Sequence, residues 1–160
     1  IFGLGYPGGP AIERKAHGGD STKYHFPRIL LSKDSLDFSF SGLKTSLLYF
    51  MDDFTETKSI SLSDIIASYQ QAIIDTLVEK TRRALDQTGA KRCIIAGGVA
   101  ANQCLRDRLN IILPDKDILF PDFSLCTDNA AMISYLGQFK YKSNFFKNLD
   151  FSVIPNMKLV

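Results

Sequence analysis

The 160 residues carry 19 basic and 17 acidic side chains, a formal net charge of +2, and 45% of them are hydrophobic. This composition predicts a folded protein with one core and excludes a disordered chain or a collagen-like repeat. The small net charge does not require a nucleic-acid partner, and no apolar run reaches the roughly 18 residues of a membrane span. The three cysteines lack the spacing of a disulfide framework or a zinc knuckle, so we expect a cytoplasmic protein without a membrane partner.

A proline–glycine turn predicts the first helix. Residues 7–10 read Pro-Gly-Gly-Pro, in which the second proline suits the first position of a helix. We therefore predict a short helix from Pro10 to Ala16 that ends at Gly18 and Gly19.

The next segment indicates a strand followed by a helix. From Leu36 to Phe40 apolar and polar residues alternate, which is typical of a half-buried strand. Gly42 then leads into a helix predicted from Leu43 to Phe54.

The longest predicted helix runs from Leu62 to Thr88. Ser61 and Asp64 have the spacing of a capping box, apolar residues then recur at helical intervals, and Gly89 is placed to end the helix. This is the clearest periodic pattern in the chain.

Two glycines separate a strand from a helix in the following segment. The short apolar run from Cys93 to Ala96 predicts a buried strand. After the glycines, Leu105, Leu109 and Ile112 mark one face of a helix that ends before Pro114.

The last predicted elements are a brief strand and a helix. The strand covers Ile118 to Phe120, and Thr127 is placed to cap the helix. The apolar face of that helix contains Ala131, Met132, Tyr135 and Phe139. Helices separated by brief strands predict an α/β domain rich in helix.

The segment Gly97–Asn102 is a candidate ligand-binding loop. Bare backbone amides at the start of a helix can approach a phosphate, a ribose or an acyl group, and Asn102 offers both a donor and an acceptor. The alternative is a tight turn that only lets the strand and helix pack closely. The segment is neither a Rossmann fingerprint, because a third glycine is absent, nor a Walker loop.

Two acidic residues are further candidates. Glu13 lies one helical turn after Gly9, so that a carboxylate and an exposed amide share one face. The alternative is that Glu13 has no ligand and only interacts favourably with the positive N-terminal end of its helix. Asp128 follows Thr127 at a predicted helix start, where it is either an ordinary first-turn acid or a metal ligand. His17 and His25 have no spacing that would join it in a metal site.

A basic stretch between Lys80 and Arg108 allows two interpretations. It contains Lys80, Arg82, Arg83, Lys91, Arg92, Arg106 and Arg108. Such a stretch is typical either of an RNA-facing surface or of solvated helix faces, and no interleaved aromatic residues favour RNA.

Four segments taken together resemble the bacterial tRNA adenosine threonylcarbamoyltransferase family, formerly described as a sialoglycoprotein endopeptidase. Their order and spacing match that family along essentially the whole chain. The segments are Tyr6–Pro10, Asp37–Thr45, Ala96–Asn102 and Cys126–Asn129.

The resemblance implies the two-lobed fold of actin, sugar kinases and Hsp70, with residues 1–160 as its helix-rich C-terminal lobe. It implies transfer of threonylcarbamoyl from threonylcarbamoyl-AMP to N6 of the tRNA adenosine beside the anticodon. By position, Gly9, Glu13 and Asn102 match residues that hold the adenylate, and Asp128 matches a carboxylate ligand of iron. The expected partners are tRNA, the N-terminal half of the enzyme, a paralogous subunit and an ATPase.

The same resemblance implies that the residues present are insufficient for catalysis. The family's H-x-x-x-H metal pair and its S-G-G-H-T phosphate turn do not occur in this sequence. Two hypotheses follow: an enzyme part that acts with an N-terminal half, or a non-catalytic remnant or partner-binding module. No general base is identified under either hypothesis.

Overall fold

The computed structural model describes residues 1–29, 34–53 and 61–146, together with residues 148, 150, 152 and 154. The chain divides into two compact units, Ile1–Cys126 and Thr127–Val160. Within the described ranges, the first unit contains two parallel strands, β1 (Arg92–Ile94) and β2 (Asp117–Leu119), and the α-helices α1 (Gly8–Ala16), α2 (Ser41–Asp53), α3 (Leu62–Thr88) and α4 (Gln103–Ile112). The second unit contains helix α5 (Ala130–Lys142).

Helix α3 confirms the prediction at both ends. The Ser61 hydroxyl accepts a hydrogen bond from the Asp64 amide at 3.3 Å, which satisfies one of the amides left unpaired at a helix start. Gly89 has φ of +66°, a left-handed conformation that ends helices because glycine lacks a Cβ. Local capping chemistry therefore sets the bounds of this helix.

Helices α1 and α2 each begin two residues earlier than predicted, at Gly8 and Ser41. Gly42 lies inside α2 rather than in a turn before it, and a Cβ at this position would overlap the side chain of Ile29. The absence of a Cβ at Gly42 therefore lets α2 pack closely against the side chain of Ile29. The predicted end of α2 at Phe54 lies outside the described residues.

The two strands form a parallel pair in which Cys93 lies opposite Ile118. Helix α4 provides the crossover between them, as a parallel connection requires. Both strands form, each starting one residue before its predicted position, but the ladder is only three residues long on each side. The prediction that the first strand is buried is wrong, because Ile94 is 70% exposed.

The predicted strand from Leu36 to Phe40 is wrong. No described strand lies beside this segment to share hydrogen bonds with it, so its alternating pattern is not realised as a ladder. Its apolar side chains remain exposed, with Phe38 at 49%. Ser35, the residue directly before this segment, is held to α3, because its carbonyl accepts a hydrogen bond from the buried ammonium of Lys80.

Helix α3 is the centre of the first unit, because each of three buried hydrophobic clusters contains residues of this helix. One cluster joins it to α4 through Val78, Leu105 and Leu109. The other two join it to α2 and to α1. The predicted inward position of Ile112 is wrong: Ile112 is 39% exposed, and the next residue, Leu113, is buried instead.

The predicted cap of the final helix is also wrong. Asn129, not Thr127, caps α5, since its side-chain oxygen accepts from the Met132 amide at 2.9 Å. Asparagine is at least as good an N-cap as threonine, and here its Nδ2 also donates to the carbonyl of Thr127. The side chains predicted to form the apolar face of α5 are exposed.

None of the helices in the described ranges is both long enough and apolar enough to cross a membrane.

Candidate functional site

The glycine loop, defined as Gly97–Asn102, connects β1 to α4. Gly97 has φ of +93°, which side chains rarely tolerate, so this glycine is required by the backbone. A short 3₁₀ turn from Gly98 to Ala101 follows, and α4 begins immediately after Asn102. The predicted order of strand, glycines and helix is confirmed, with one additional turn inserted before the helix.

Asn102 uses both ends of its side-chain amide. Its Oδ1 accepts from the Leu105 amide at 2.9 Å and so caps α4. Its Nδ2 donates to Oε1 of Gln70 on α3 at 3.3 Å. Asn102 therefore fixes the start of α4 and ties the glycine loop to α3, which is a structural role. Its role toward a ligand stays a prediction.

Glu13 lies against the same loop. Its Oε1 accepts a hydrogen bond of 2.7 Å from the amide of Gln103, the first residue of α4. The carboxylate thus sits at the positive end of α4, where a negative charge is stabilised. The structure brings Glu13 and Asn102 to one place, although they are far apart in sequence.

Gly9 belongs to the same helix as Glu13, one turn earlier. No side chain of the described residues caps the start of α1, so its first-turn amides have no side-chain acceptor. The amides at the start of α1 therefore lie one helical turn before Glu13, whereas the amides at the start of α4 are already satisfied by Glu13 and Asn102.

The sequence indicates Arg106 only as one member of the basic stretch, whereas the structure shows that its side chain makes specific contacts. Its Nε donates to the Ala100 carbonyl at 2.6 Å, and its Nη2 donates to the Pro121 carbonyl at 2.7 Å. The guanidinium also lies 4.1 Å from the ring centroid of Phe123. Arg106 holds the glycine loop to the segment after β2. The sequence contained no signal for this contact, because it depends on how β1 and β2 pair.

Three other arginines of the basic stretch are paired with carboxylates of the chain. Arg82 and Arg83 both contact Glu79, and Arg92 pairs with Asp117. The hydrogen bond from Arg82 is the main cause that lowers the pKa of Glu79 from 4.5 to about 2, and Arg83 lowers it further. These pairs favour solvated helix faces over a continuous RNA-binding surface.

Asp128 lies in the second unit, two residues before α5 begins, and is exposed. It is therefore not in the first turn of the helix, as the sequence had indicated. The described residues contain no group of three or more histidine, cysteine or acidic side chains that could hold a metal ion. A lone carboxylate does not fit an iron site.

Cys104, in the first turn of α4, is not suited to act as a nucleophile. Desolvation raises the pKa of its thiol, and the charges of Asp107 and Glu13 raise it further. A thiol attacks as its thiolate, so this group stays in the less reactive form.

A glycine loop that leads from a strand to a helix start is an arrangement by which α/β proteins bind nucleotide-type ligands. Residues 1–135 match the tRNA N6-adenosine threonylcarbamoyltransferase family, TsaD. The chain belongs to this family, which confirms the resemblance seen in its four motifs.

Curated relatives named tRNA N6-adenosine threonylcarbamoyltransferase align along the whole chain. The protein of Kosmotoga olearia is 46% identical over 100% of this chain and 48% of its own length. Those of Thermotoga neapolitana and Desulfitobacterium hafniense are 41% and 42% identical over 99% of this chain. The chain spans about half the length of these relatives.

Replacing Glu13 by alanine is expected to lower the free energy of unfolding by about 1 kcal/mol, because the Gln103 amide loses its acceptor at the start of α4. Glu13→Gln keeps an acceptor oxygen and is expected to cost only about half as much. Urea unfolding followed by circular dichroism measures both changes. Equal stability of Glu13→Ala and the unmodified chain would contradict this role.

Proposed function

We propose that this chain is part of a tRNA N6-adenosine threonylcarbamoyltransferase and contributes to binding of threonylcarbamoyl-AMP. The observation that carries the proposal is the hydrogen bond that Glu13 accepts from the amide of Gln103, directly after the glycine loop and beside Asn102. These two residues, together with Gly9, are those that the family resemblance assigns to the adenylate.

The chemistry of the ligand fits the groups in this region. An adenylate carries a phosphate, which open amides at a helix start stabilise, and the first turn of α1 contains such amides at Gly8 and Gly9. The threonylcarbamoyl group carries hydroxyl and amide groups that can exchange hydrogen bonds with a carboxylate and a side-chain amide. Glu13 and Asn102 supply these two kinds of group.

In the proposed reaction, N6 of the tRNA adenosine attacks the carbamoyl carbon of threonylcarbamoyl-AMP. A nitrogen–carbon bond forms, the bond from that carbon to the phosphate oxygen breaks, and AMP leaves while N6 loses a proton. Backbone amides aimed at the developing oxyanion lower the barrier to such acyl transfers. No base that takes the proton is identified among the described residues.

Activity is proposed to require the part of the relatives that this chain does not match. The first unit contributes the glycine loop and Glu13, while the family's metal histidines belong to the unmatched part. A paralogous subunit, an ATPase and tRNA are the proposed partners, and a cytoplasmic location is proposed from the unpaired cysteines.

A mixing experiment tests the proposal. The chain is combined with a separately made polypeptide covering the remaining half of the Kosmotoga olearia relative, with iron, threonylcarbamoyl-AMP and unmodified tRNA. We expect threonylcarbamoyladenosine, detected by mass spectrometry of the digested tRNA, only when both polypeptides are present. The intact relative is the positive control. If the mixture forms no product while the intact relative is active, the enzymatic proposal is wrong.

The intrachain hydrogen bonds favour a second candidate. Glu13 and Asn102 are already engaged at the start of α4, as a purely structural role would require. In a non-catalytic, partner-binding protein these contacts would persist without adenylate binding. Such a protein would bind the paralogous subunit in a pull-down and give no heat with threonylcarbamoyl-AMP in calorimetry.

A further inference from the structure

The first unit contains a polar cleft of about 540 Å³ that lies outside the glycine loop. Residues from the segment before α2, from α3 and from α4 line it. The side chains that matter chemically are Thr22, Tyr24, His25, Arg28, Asp75 and Arg108. The volume is large enough for a nucleotide-sized ligand.

Asp75 and Arg28 form the rigid part of this cleft. Nε and Nη2 of Arg28 both donate to Oδ2 of Asp75, at 3.1 and 2.9 Å, and Nη1 donates to the carbonyl of Phe26. Gln71 donates to the other carboxylate oxygen at 2.7 Å. The carboxylate of Asp75 is thus fully engaged, and its charge is offset by that of Arg28.

Arg108 adds a positive charge that Asp75, its acidic partner among the described residues, offsets only in part. Its Nε lies 3.9 Å from Oδ1 of Asp75, beyond hydrogen-bond distance, and its side chain is 44% exposed. Among the residues that line the cleft, two guanidinium groups face one carboxylate, so the lining itself carries a net positive charge. A guanidinium with available donors is suited to bidentate contact with a phosphate.

The cleft borders the candidate adenylate site. Gln70 and Gln71 are consecutive on α3: the first contacts Asn102 and the second contacts Asp75 in the cleft. On α4, Arg108 lies fewer than two helical turns after Asn102. Six residues of α-helix rise about 9 Å, so Asn102 and Arg108 are close enough along α4 to be contacted by one extended ligand.

We propose that this cleft binds a backbone phosphate of the single-stranded RNA beside the reactive adenosine, with Arg108 as its main contact. The inference rests on the proposed function, which places that adenosine near Asn102. Single-stranded RNA offers phosphates for guanidinium groups and bases for ring contacts, and the exposed ring of His25 lines the same cleft. A free phosphate would use only the guanidinium groups.

Arg108→Gln in the full chain tests this assignment. The probe is a fluorescent anticodon stem-loop RNA, with binding followed by anisotropy at several salt concentrations. We expect affinity to fall about three- to tenfold and the slope of log K against log salt to decrease by about 0.7, as for one lost phosphate contact to single-stranded RNA. The thermal unfolding midpoint is expected to be unchanged, because Arg108 makes no hydrogen bond among the described residues.

Arg92→Gln is the matched control. Arg92 is also an exposed arginine with a single acidic partner, but it lies on β1 and does not line the cleft. Its replacement is expected to leave RNA affinity and salt slope unchanged. Equal RNA binding by Arg108→Gln and the unmodified chain would overturn the proposal, as would equal losses in the two variants.

Two further measurements separate this proposal from the proposed function. Competition by inorganic phosphate at constant ionic strength is expected to be weak; complete displacement of RNA at low phosphate concentration would show a free-phosphate site and overturn the assignment to RNA. Calorimetry with threonylcarbamoyl-AMP reports on the adenylate site alone. RNA binding that depends on Arg108 without any adenylate binding would support the cleft while contradicting the proposed function.

Discussion

Replacing Arg106 by methionine is expected to lower the free energy of unfolding by about 2 to 4 kcal/mol. The substitution leaves the carbonyls of Ala100 and Pro121 without their charged donor. It also removes the cation–π contacts with Phe120 and Phe123, although methionine fills part of the space. The glycine loop then loses its connection to the segment after β2.

Urea unfolding measures this effect, and Arg92→Met provides the matched control. Arg92 is an arginine on a neighbouring element, but it is 68% exposed and pairs with one carboxylate, so its loss is expected to cost less than about 0.5 kcal/mol. Arg106→Lys should fall between the two, because lysine keeps the charge but cannot reach both carbonyls in the same way. A similar small loss for Arg106→Met and Arg92→Met would show that the contacts of Arg106 are not important for stability.

Asn102→Ala is expected to weaken threonylcarbamoyl-AMP binding at least about tenfold while the chain stays folded. The substitution removes a donor and an acceptor beside Glu13 and loses the cap of α4, at a cost of about 1 kcal/mol in stability. Titration calorimetry measures the affinity, and thermal unfolding measures the stability.

The variant Ser61→Ala separates the loss of a helix cap from the loss of a ligand contact. Ser61 is also an N-cap, of α3, and its loss should reduce stability by a similar amount. Its replacement should leave adenylate affinity unchanged, because it lies outside the proposed site. If Asn102→Ala binds the adenylate as tightly as the unmodified chain, Asn102 does not belong to the ligand site and is only a helix cap.

Local chemistry in the sequence was sufficient to predict the helices. The bounds of α3 follow from a serine cap at one end and a left-handed glycine at the other, and both act over a few residues. The pair of glycines at Gly97 and Gly98 likewise made the turn after β1 recognisable, and the positive φ of Gly97 is the conformation that requires a glycine there. The family could also be predicted from sequence, because four motifs in a fixed order carry more information than one glycine turn.

Strand assignment failed where pairing had to be known. The alternation from Leu36 to Phe40 is a genuine β pattern, but a strand exists only when a neighbour shares its hydrogen bonds, and none of the described strands lies beside it. The choice between Thr127 and Asn129 as a cap failed for a related reason. Both are acceptable caps, so the position at which α5 begins decided between them.

The sequence by itself determined that the helices form, the family and the residues Gly9, Glu13 and Asn102 as candidates. Only the tertiary structure decided that Glu13 reaches the start of α4, that Arg106 bridges the glycine loop to the segment after β2, and that Arg108 retains a charge that Asp75 offsets only in part. The physical reason is the sequence separation over which each kind of interaction acts. Caps and glycine turns act between residues close in sequence, whereas these contacts join separate elements whose positions are fixed by packing against α3.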